Sequence, residues 1–253
     1  MNHYISAERL KCKHTALNKL SWAVPCSIMI LSMLLTGNYF AIDYYNWWYV
    51  TIMPVMLALS CCMFSKIDSK MKYRAILSLP LSRQKMWFAK VFVMIEQLVF
   101  SNLIMFVTSI IGVKLLELLG IKAIVNVSIL NILFASLIIS IVSIWQIPLS
   151  LFLAEKIGMF PSIIVNTGGN IIGAIFFSLT KFWIFIPYSY AARLMCPILN
   201  VLPNGLEAKA GSMTFKEELL SGHVVAPGII ISLVLFLIIT FITGKWFGKR
   251  EAV

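Results

Sequence analysis

Between Lys19 and Asp43 the chain reads LSWAVPCSIMILSMLLTGNYFAI, 23 residues (20–42) without a charge. The next interval, Asp43 to Lys66, holds YYNWWYVTIMPVMLALSCCMFS, 22 uncharged residues (44–65). A helix rising about 1.5 Å per residue needs roughly 20 apolar residues to cross the hydrocarbon of a bilayer, so each interval is long enough for one crossing. The pattern continues. Lys90 to Lys114 encloses 23 residues broken only by Glu96, Lys122 to Glu155 encloses 32, and Lys156 to Lys181 encloses 24. Glu218 to Lys245 encloses 26, with His223 near the outer edge. Six spans are expected, at about 21–42, 45–65, 88–113, 128–153, 159–180 and 225–245.

Composition agrees with this reading. Residues of the set AVILMFWYC make up 60% of the 253, and charged residues 12%, about half the usual ~25%. A soluble fold of this length has too little interior to hide so much apolar surface. The same figures exclude a disordered, collagenous or disulfide-stapled chain. The expected fold is all-α: a polytopic membrane protein forming a single transmembrane domain over 1–253. Between Lys181 and Glu207 lies a further apolar stretch broken by Pro187, Arg193, Pro197 and Pro203. Its charge-free pieces, 182–192 and 194–206, are too short to cross, so 182–203 reads as an interfacial or re-entrant segment. The first apolar run lacks a small-residue cleavage site and is too long for a signal-peptide core, so it is taken as a retained span.

Six crossings put both termini on one side, and the distribution of Lys and Arg says which. The terminal side carries 15 bases and 4 acids (Glu8, Asp68, Glu155, Glu251). The opposite side carries 6 bases and 5 acids, with Glu96 in the membrane. The net charge of +11 is thus concentrated on one face, and both termini are expected in the cytoplasm. Anionic lipid headgroups account for this basicity, and it leaves little for a nucleic-acid role to explain. Of the five cysteines, only Cys196 is expected outside, without a partner for a disulfide.

No G-x-x-x-x-G-K-[ST] loop is present, so the chain is not expected to hydrolyse nucleotides by itself. There is no H-E-x-x-H and no G-x-S-x-G, and His3, His14 and His223 are too scattered for a metal site. An enzyme is not expected. Any energy for work must come from a gradient or a partner. A gradient-driven carrier places ionisable groups near the midplane, where Glu96 is the one candidate, about 9 Å beyond Lys90 by helical rise. The plainer reading is a structural carboxylate capped by Lys90 or by an amide of a neighbouring helix. Gln146, Asn166 and Asn170 are buried amides that either bridge helices or line a substrate path, and Gly168, Gly169 and Gly173 suit close helix packing. Trp47, Trp48 and Tyr49 read as an interfacial aromatic belt.

The sizeable loop on the cytoplasmic face, KIDSKMKYRAILSLPLSRQKMWFAK (66–90), has seven basic residues around an apolar middle, Ile76-Leu77-Ser78-Leu79-Pro80-Leu81. Apolar side chains on a basic loop need a bilayer surface or a protein groove. Pro80 ends a short helix and Ser82 suits the N-cap of the next. The pattern R-x-x-x-x-L-P-x-S-R, carried by Arg74, Leu79, Pro80, Ser82 and Arg83 and followed by Lys85 and Lys90, resembles the coupling loop of ABC-2-type permeases. Six spans, cytoplasmic ends and a basic segment before the first span are similar to that family. The resemblance implies that this loop docks on a separate ATP-binding subunit, with ATP and Mg held there and not by this chain. It also implies that the N-terminal segment, here 3–20, forms an elbow helix along the membrane.

A second stretch narrows the resemblance. Trp183-Ile-Phe-Ile-Pro187, Arg193-Leu-Met-Cys-Pro197 and Pro203-Asn204-Gly205 are similar to the outer segment after the fifth span of lantibiotic-immunity permeases of the MutE/EpiE type. What this implies is a permease subunit, in the cell membrane of a Gram-positive bacterium, that expels a cationic peptide antibiotic. Its partners would be a cytosolic ATPase, a second permease chain, the peptide and membrane lipids. Two alternatives stay open: an ABC-2 permease exporting a lipid, drug or other bacteriocin, and a membrane protein that binds a peptide antibiotic without energy input.

Overall fold

The computed structural model describes residues 1–13, 15–69, 82–121, 124–125 and 127–249. Among them regular structure is helical, apart from one isolated antiparallel bridge between Val201 and Glu207. The helices are α1 (Asn2–Cys12), α2 (Ala16–Thr36), α3 (Phe40–Trp47), α4 (Met53–Ser69), α5 (Arg83–Leu118), α6 (Ile129–Ser143), α7 (Gln146–Lys156), α8 (Met159–Ile172), α9 (Tyr190–Leu199) and α10 (Val225–Gly248).

Among the described residues, four helical stretches are long and apolar enough to cross a membrane: Ala16–Asp68, Arg83–Leu118, Met159–Phe177 and Gly222–Gly248. A fifth is added if α6 and α7, bent by 44° at their junction, count as one broken span. These mark a membrane protein. The first stretch, 53 residues, would measure ~80 Å if straight, well over one bilayer. It reverses instead. Gly37 takes φ 46° and ψ −97°, a conformation closed to residues with a side chain, and α4 returns to pack beside α2.

The bend between α6 and α7 has a chemical cause. Pro148 offers no N–H to the carbonyl of Ile144, and its ring crowds that carbonyl, so the helix breaks at Ile144–Trp145. The expected span 128–153 is therefore two helices at an angle. At its head Ser128 accepts a hydrogen bond from the Asn131 amide at 3.1 Å, and Ser82 caps α5 by accepting from the Lys85 amide at 3.5 Å.

The N-terminal segment also divides differently from the expected elbow over 3–20. Helix α1 stops at Cys12, Lys13 is extended, and the Thr15 hydroxyl donates to the freed Cys12 carbonyl at 2.7 Å. Leu10 ends up exposed on α1 and Leu17 buried on α2.

Helix α5 is the hub. Its 36 residues reach ~54 Å, and it packs against α1, α2, α6 and α10. Helix α3 enters this bundle as an aromatic wedge, with Phe40, Tyr44 and Tyr45 buried. The Tyr44 hydroxyl donates to the Pro25 carbonyl at 3.0 Å and shares a hydrogen bond with Thr108 at 2.8 Å. Tyr45 and the Ser136 hydroxyl are bonded at 2.7 Å. The expected aromatic belt is corrected here. Trp48 and Tyr49 are fully buried and only Trp47 is partly exposed. Trp48 donates its indole N–H to Asn102 at 2.8 Å, and Tyr49 accepts from Asn46 at 2.9 Å. Partners inside the protein replace the wet interface those polar tips would otherwise seek.

Helix α8 continues through a wider π-helical turn, Gly173–Phe177. It passes so close to the segment Pro187–Ser189 that a Cβ on Gly173 would lie 2.7 Å from the Tyr188 carbonyl carbon. A Cβ on Gly168 would meet nothing within 4 Å. Gly173→Ala is therefore expected to destabilise the protein by about 1–3 kcal/mol through forced backbone displacement. Gly168→Ala should be neutral or stabilising by up to about 1 kcal/mol. Thermal unfolding of the two variants in detergent checks the contrast.

Candidate functional site

The face that α1 buries is not apolar; its buried residues are Glu8 and Cys12. Facing Glu8 is Lys90 of α5, only 1% exposed. Its ammonium lies 3.3 Å from Glu8 Oε2, forms a shorter ion pair with Asp68 of α4, and sits 4.5 Å from the centre of the Phe64 ring. Lys11 closes the group, 2.7 Å from Glu8 Oε1 and 2.9 Å from Asp68 Oδ1. Two cations and two carboxylates balance, which is what allows Glu8, Asp68 and Lys90 to be buried while Lys11 stays partly exposed. Next to Glu8 on α1, Arg9 pairs with Glu96, six residues further along α5 than Lys90. That bridge is more exposed, so its contribution is small.

These contacts sit at both roots of the segment between α4 and α5. Asp68 is next to the end of α4 and Lys90 lies two turns into α5. The Tyr4 hydroxyl accepts a hydrogen bond from the Ser82 amide at 3.3 Å. Helices α1, α4 and α5 are thereby joined as one unit. Ser65 extends the unit to α7 by donating to Glu155 Oε1 at 2.5 Å. Of the residues expected to contact an ATPase, Arg74, Leu79 and Pro80 lie outside the described residues. Arg83 and Lys85 occupy the first turn of α5, with the Lys85 side chain exposed. Glu96 is found with Arg9, not with Lys90 as its cap; the nearer carboxylates of Glu8 and Asp68 hold that ammonium. Glu8 and Asp68 were not singled out from the sequence. Their one signal was scarcity, two of four acids on a face with 15 bases.

The three amides form a seam between α7 and α8. Gln146 and Asn170 bond reciprocally at 3.3 and 3.5 Å. Asn170 also donates to the Asn166 carbonyl at 2.8 Å, and Asn166 to the Ser162 carbonyl at 2.9 Å. Asn166 Oδ1 and Ser150 Oγ, both buried here, have no protein partner among the described residues. The amides thus hold helices together and leave acceptor capacity inside the bundle.

At the other end of the bundle, the segment after α8 folds into short turns, Lys181–Phe185 and Pro187–Ser189, and then α9. Helix α9 has 10 residues, ~15 Å, too short to cross a bilayer, and nearly all of it is buried. Trp183 stacks edge-on against Tyr190 at 5.7 Å. Arg193 is buried, donating to the Leu219 and Glu218 carbonyls at 2.8 and 2.9 Å. Pro203, Asn204 and Gly205 form a turn docked on α3. The Pro203 carbonyl accepts from Asn46 at 3.4 Å, Asn204 accepts from the Leu206 amide at 3.1 Å, and Gly205 takes φ 84°. Trp183 and Arg193 are brought together around one cavity, whereas the Pro203–Gly205 turn belongs to the α3 contact.

The five cysteines are free. Among the described residues no group of three or more His, Cys, Asp or Glu side chains is placed to hold a metal ion. Comparison with known proteins finds no matching family model, no similar curated protein and no similar solved structure.

Cys12 reports on the docking of α1. Burial, reinforced by the Glu8 carboxylate, pushes its thiol up to about 11. The reactive thiolate is therefore scarce at neutral pH, and alkylation should quicken only as pH approaches that value. Lys90→Met would leave carboxylates buried without their main counter-charge and is expected to cost about 3–5 kcal/mol. Labelling of Cys12 by iodoacetamide at pH 8 should accelerate in that variant. A quadruple replacement of Glu8, Lys11, Asp68 and Lys90 by apolar residues, which removes all four charges together, should recover most of the stability, as judged by thermal unfolding.

Proposed function

We propose that the chain is the membrane subunit of an ABC-2-type exporter, driven by a separate cytosolic ATPase, that expels a lantibiotic-type peptide from the cell membrane of a Gram-positive bacterium. The observation that carries this reading is the ion-paired junction of Glu8, Lys11, Asp68 and Lys90. It makes α1 and both roots of the 70–81 segment one mechanical unit. A force applied to that segment by an ATPase would be delivered to α4 and α5 together, and α5 is the helix most widely connected to the rest. A loop without such a clamp would absorb the push locally.

The hairpin of Ala16–Asp68 counted as two passes, the bent α6–α7 pair as one and the three other stretches support six crossings. The 15 bases on the terminal side support termini in the cytoplasm. A second permease chain, related or identical, would complete the transport path, and the ATPase would hold ATP and Mg. Export from the membrane fits α8 and α10, whose outward faces carry Phe160, Ile164, Leu237 and Phe241 exposed to an apolar surrounding.

Replacing Arg74, Leu79, Pro80 and Arg83 by Ala is expected to abolish co-purification of the ATPase and the resistance that depends on it, while leaving the chain in the membrane. Deletion of the chain should sensitise cells selectively to lantibiotics, and complementation should require a catalytically intact ATPase. Protection that survives an inactive ATPase would mean passive peptide binding, and loss of resistance to lipids or drugs alone would mean another cargo.

A further inference from the structure

The turns before α9 and the turns before α10 enclose a cavity of about 580 Å³ lined by Thr180, Lys181, Trp183, Arg193, Lys216 and Glu218, among others. That volume falls within the usual range of small-ligand sites, about 300–1,000 Å³. Three cations and one carboxylate face it, so the wall carries a net positive charge.

The decisive residue is Arg193, 5% exposed. Burying a guanidinium ordinarily requires a carboxylate, because the charge loses its hydration. Among the described residues Arg193 has no such partner. Its guanidinium donates to two backbone carbonyls and touches the Cys196 thiol, and Trp183 lies 6.0 Å away on its flank. A guanidinium has five N–H groups, so donors remain for an acceptor in the cavity. Lys181 and Lys216 are exposed and likewise lack an ion-pair partner among the described residues, in contrast to Lys209, which is 2.7 Å from Glu207. A buried, carbonyl-oriented Arg with two free ammonium groups is the arrangement that recognises a phosphate.

The level of the cavity narrows the source of that phosphate. One wall follows directly on the apolar stretch ending at Phe177, and the other immediately precedes α10. The cavity is therefore at the mouth of two spanning stretches, where headgroups lie. Phe182 and Phe185, both exposed, flank it as side chains suited to that boundary.

We propose that this cavity binds a phosphate group, presented by the headgroup of an anionic lipid in the outer leaflet. The site is independent of the export reading, since its occupancy requires neither peptide nor ATPase. Native mass spectrometry of the purified full-length chain tests it, with phosphatidylglycerol, phosphatidylcholine or inorganic phosphate added separately. Phosphatidylglycerol is expected to bind saturably and about tenfold more tightly than phosphatidylcholine, a difference of about 1.4 kcal/mol. The double variant Lys181→Gln/Lys216→Gln, altered only at exposed positions, should lose that preference, and Lys209→Gln should keep it. Arg193→Gln should lose it too, but this variant also removes the anchor of residues 218–219, so the lysine pair decides. Inorganic phosphate binding with the same lysine dependence and no lipid preference would keep the phosphate site and overturn the lipid source. Equal binding of both lipids without phosphate uptake, or a preference indifferent to the two lysines, would overturn the site itself.

Discussion

An ammonium group with almost no access to water sits where three helices meet, and the arrangement around it follows from that one constraint. Lys90 cannot remain charged in an apolar surrounding unless carboxylates are brought to it. Glu8 comes from α1 and Asp68 from α4, and Lys11 offsets the second negative charge. Helix α1 thus lies against the bundle because it carries a counter-ion. An amphipathic helix on a lipid surface can slide and tilt, whereas one held by buried ion pairs has a defined register. That register joins the N-terminus to the roots of the 70–81 segment.

The same rule, applied to neutral groups, shapes the middle of the protein. Hydrocarbon offers no hydrogen-bond partner, so polar tips inside the bundle must find each other. Tyr44, Tyr45 and Trp48 do so with Thr108, Ser136 and Asn102 on α5 and α6. Gln146 and Asn170 pair between α7 and α8. Such bonds contribute only about 0.6–2 kcal/mol each, yet they select one rotational setting of each helix among many that bury equal apolar area. The two ends of the bundle then differ in kind. The end that holds α1 sets Lys11 and Lys90 against Glu8 and Asp68, while the opposite end leaves Arg193, Lys181 and Lys216 facing a cavity with one carboxylate, Glu218.

Much was readable from the linear pattern. Among the described residues each long apolar helical stretch overlaps one or two of the intervals between charges, because a charge at bilayer depth is costly and a helix must be long enough to satisfy its own backbone across it. Pro187 and Pro203 marked where the apolar run around the short α9 fails to be one straight helix, whereas the α6–α7 bend before Pro148 divides a run expected as one span. The candidate site was less legible. Arg83 and Lys85 were placed at the start of α5 by the Ser82 cap, but Glu8 and Asp68 drew no notice, since an acid in a basic segment has no periodicity. The aromatic run at 47–49 was read as interfacial because composition cannot tell a wet polar tip from one satisfied by a distant Asn102.

The sequence by itself determined the solvent, the helical class and the approximate extent of the helices, because these depend on local hydrophobicity and on backbone hydrogen bonds that close within one segment. Tertiary structure alone decided which charges meet and which face of each helix is buried. It also decided which cations are left uncompensated, because Coulomb and hydrogen-bond partners are set by distance in space. Glu8 and Lys90 are 82 residues apart in the chain and 3.3 Å apart in the fold.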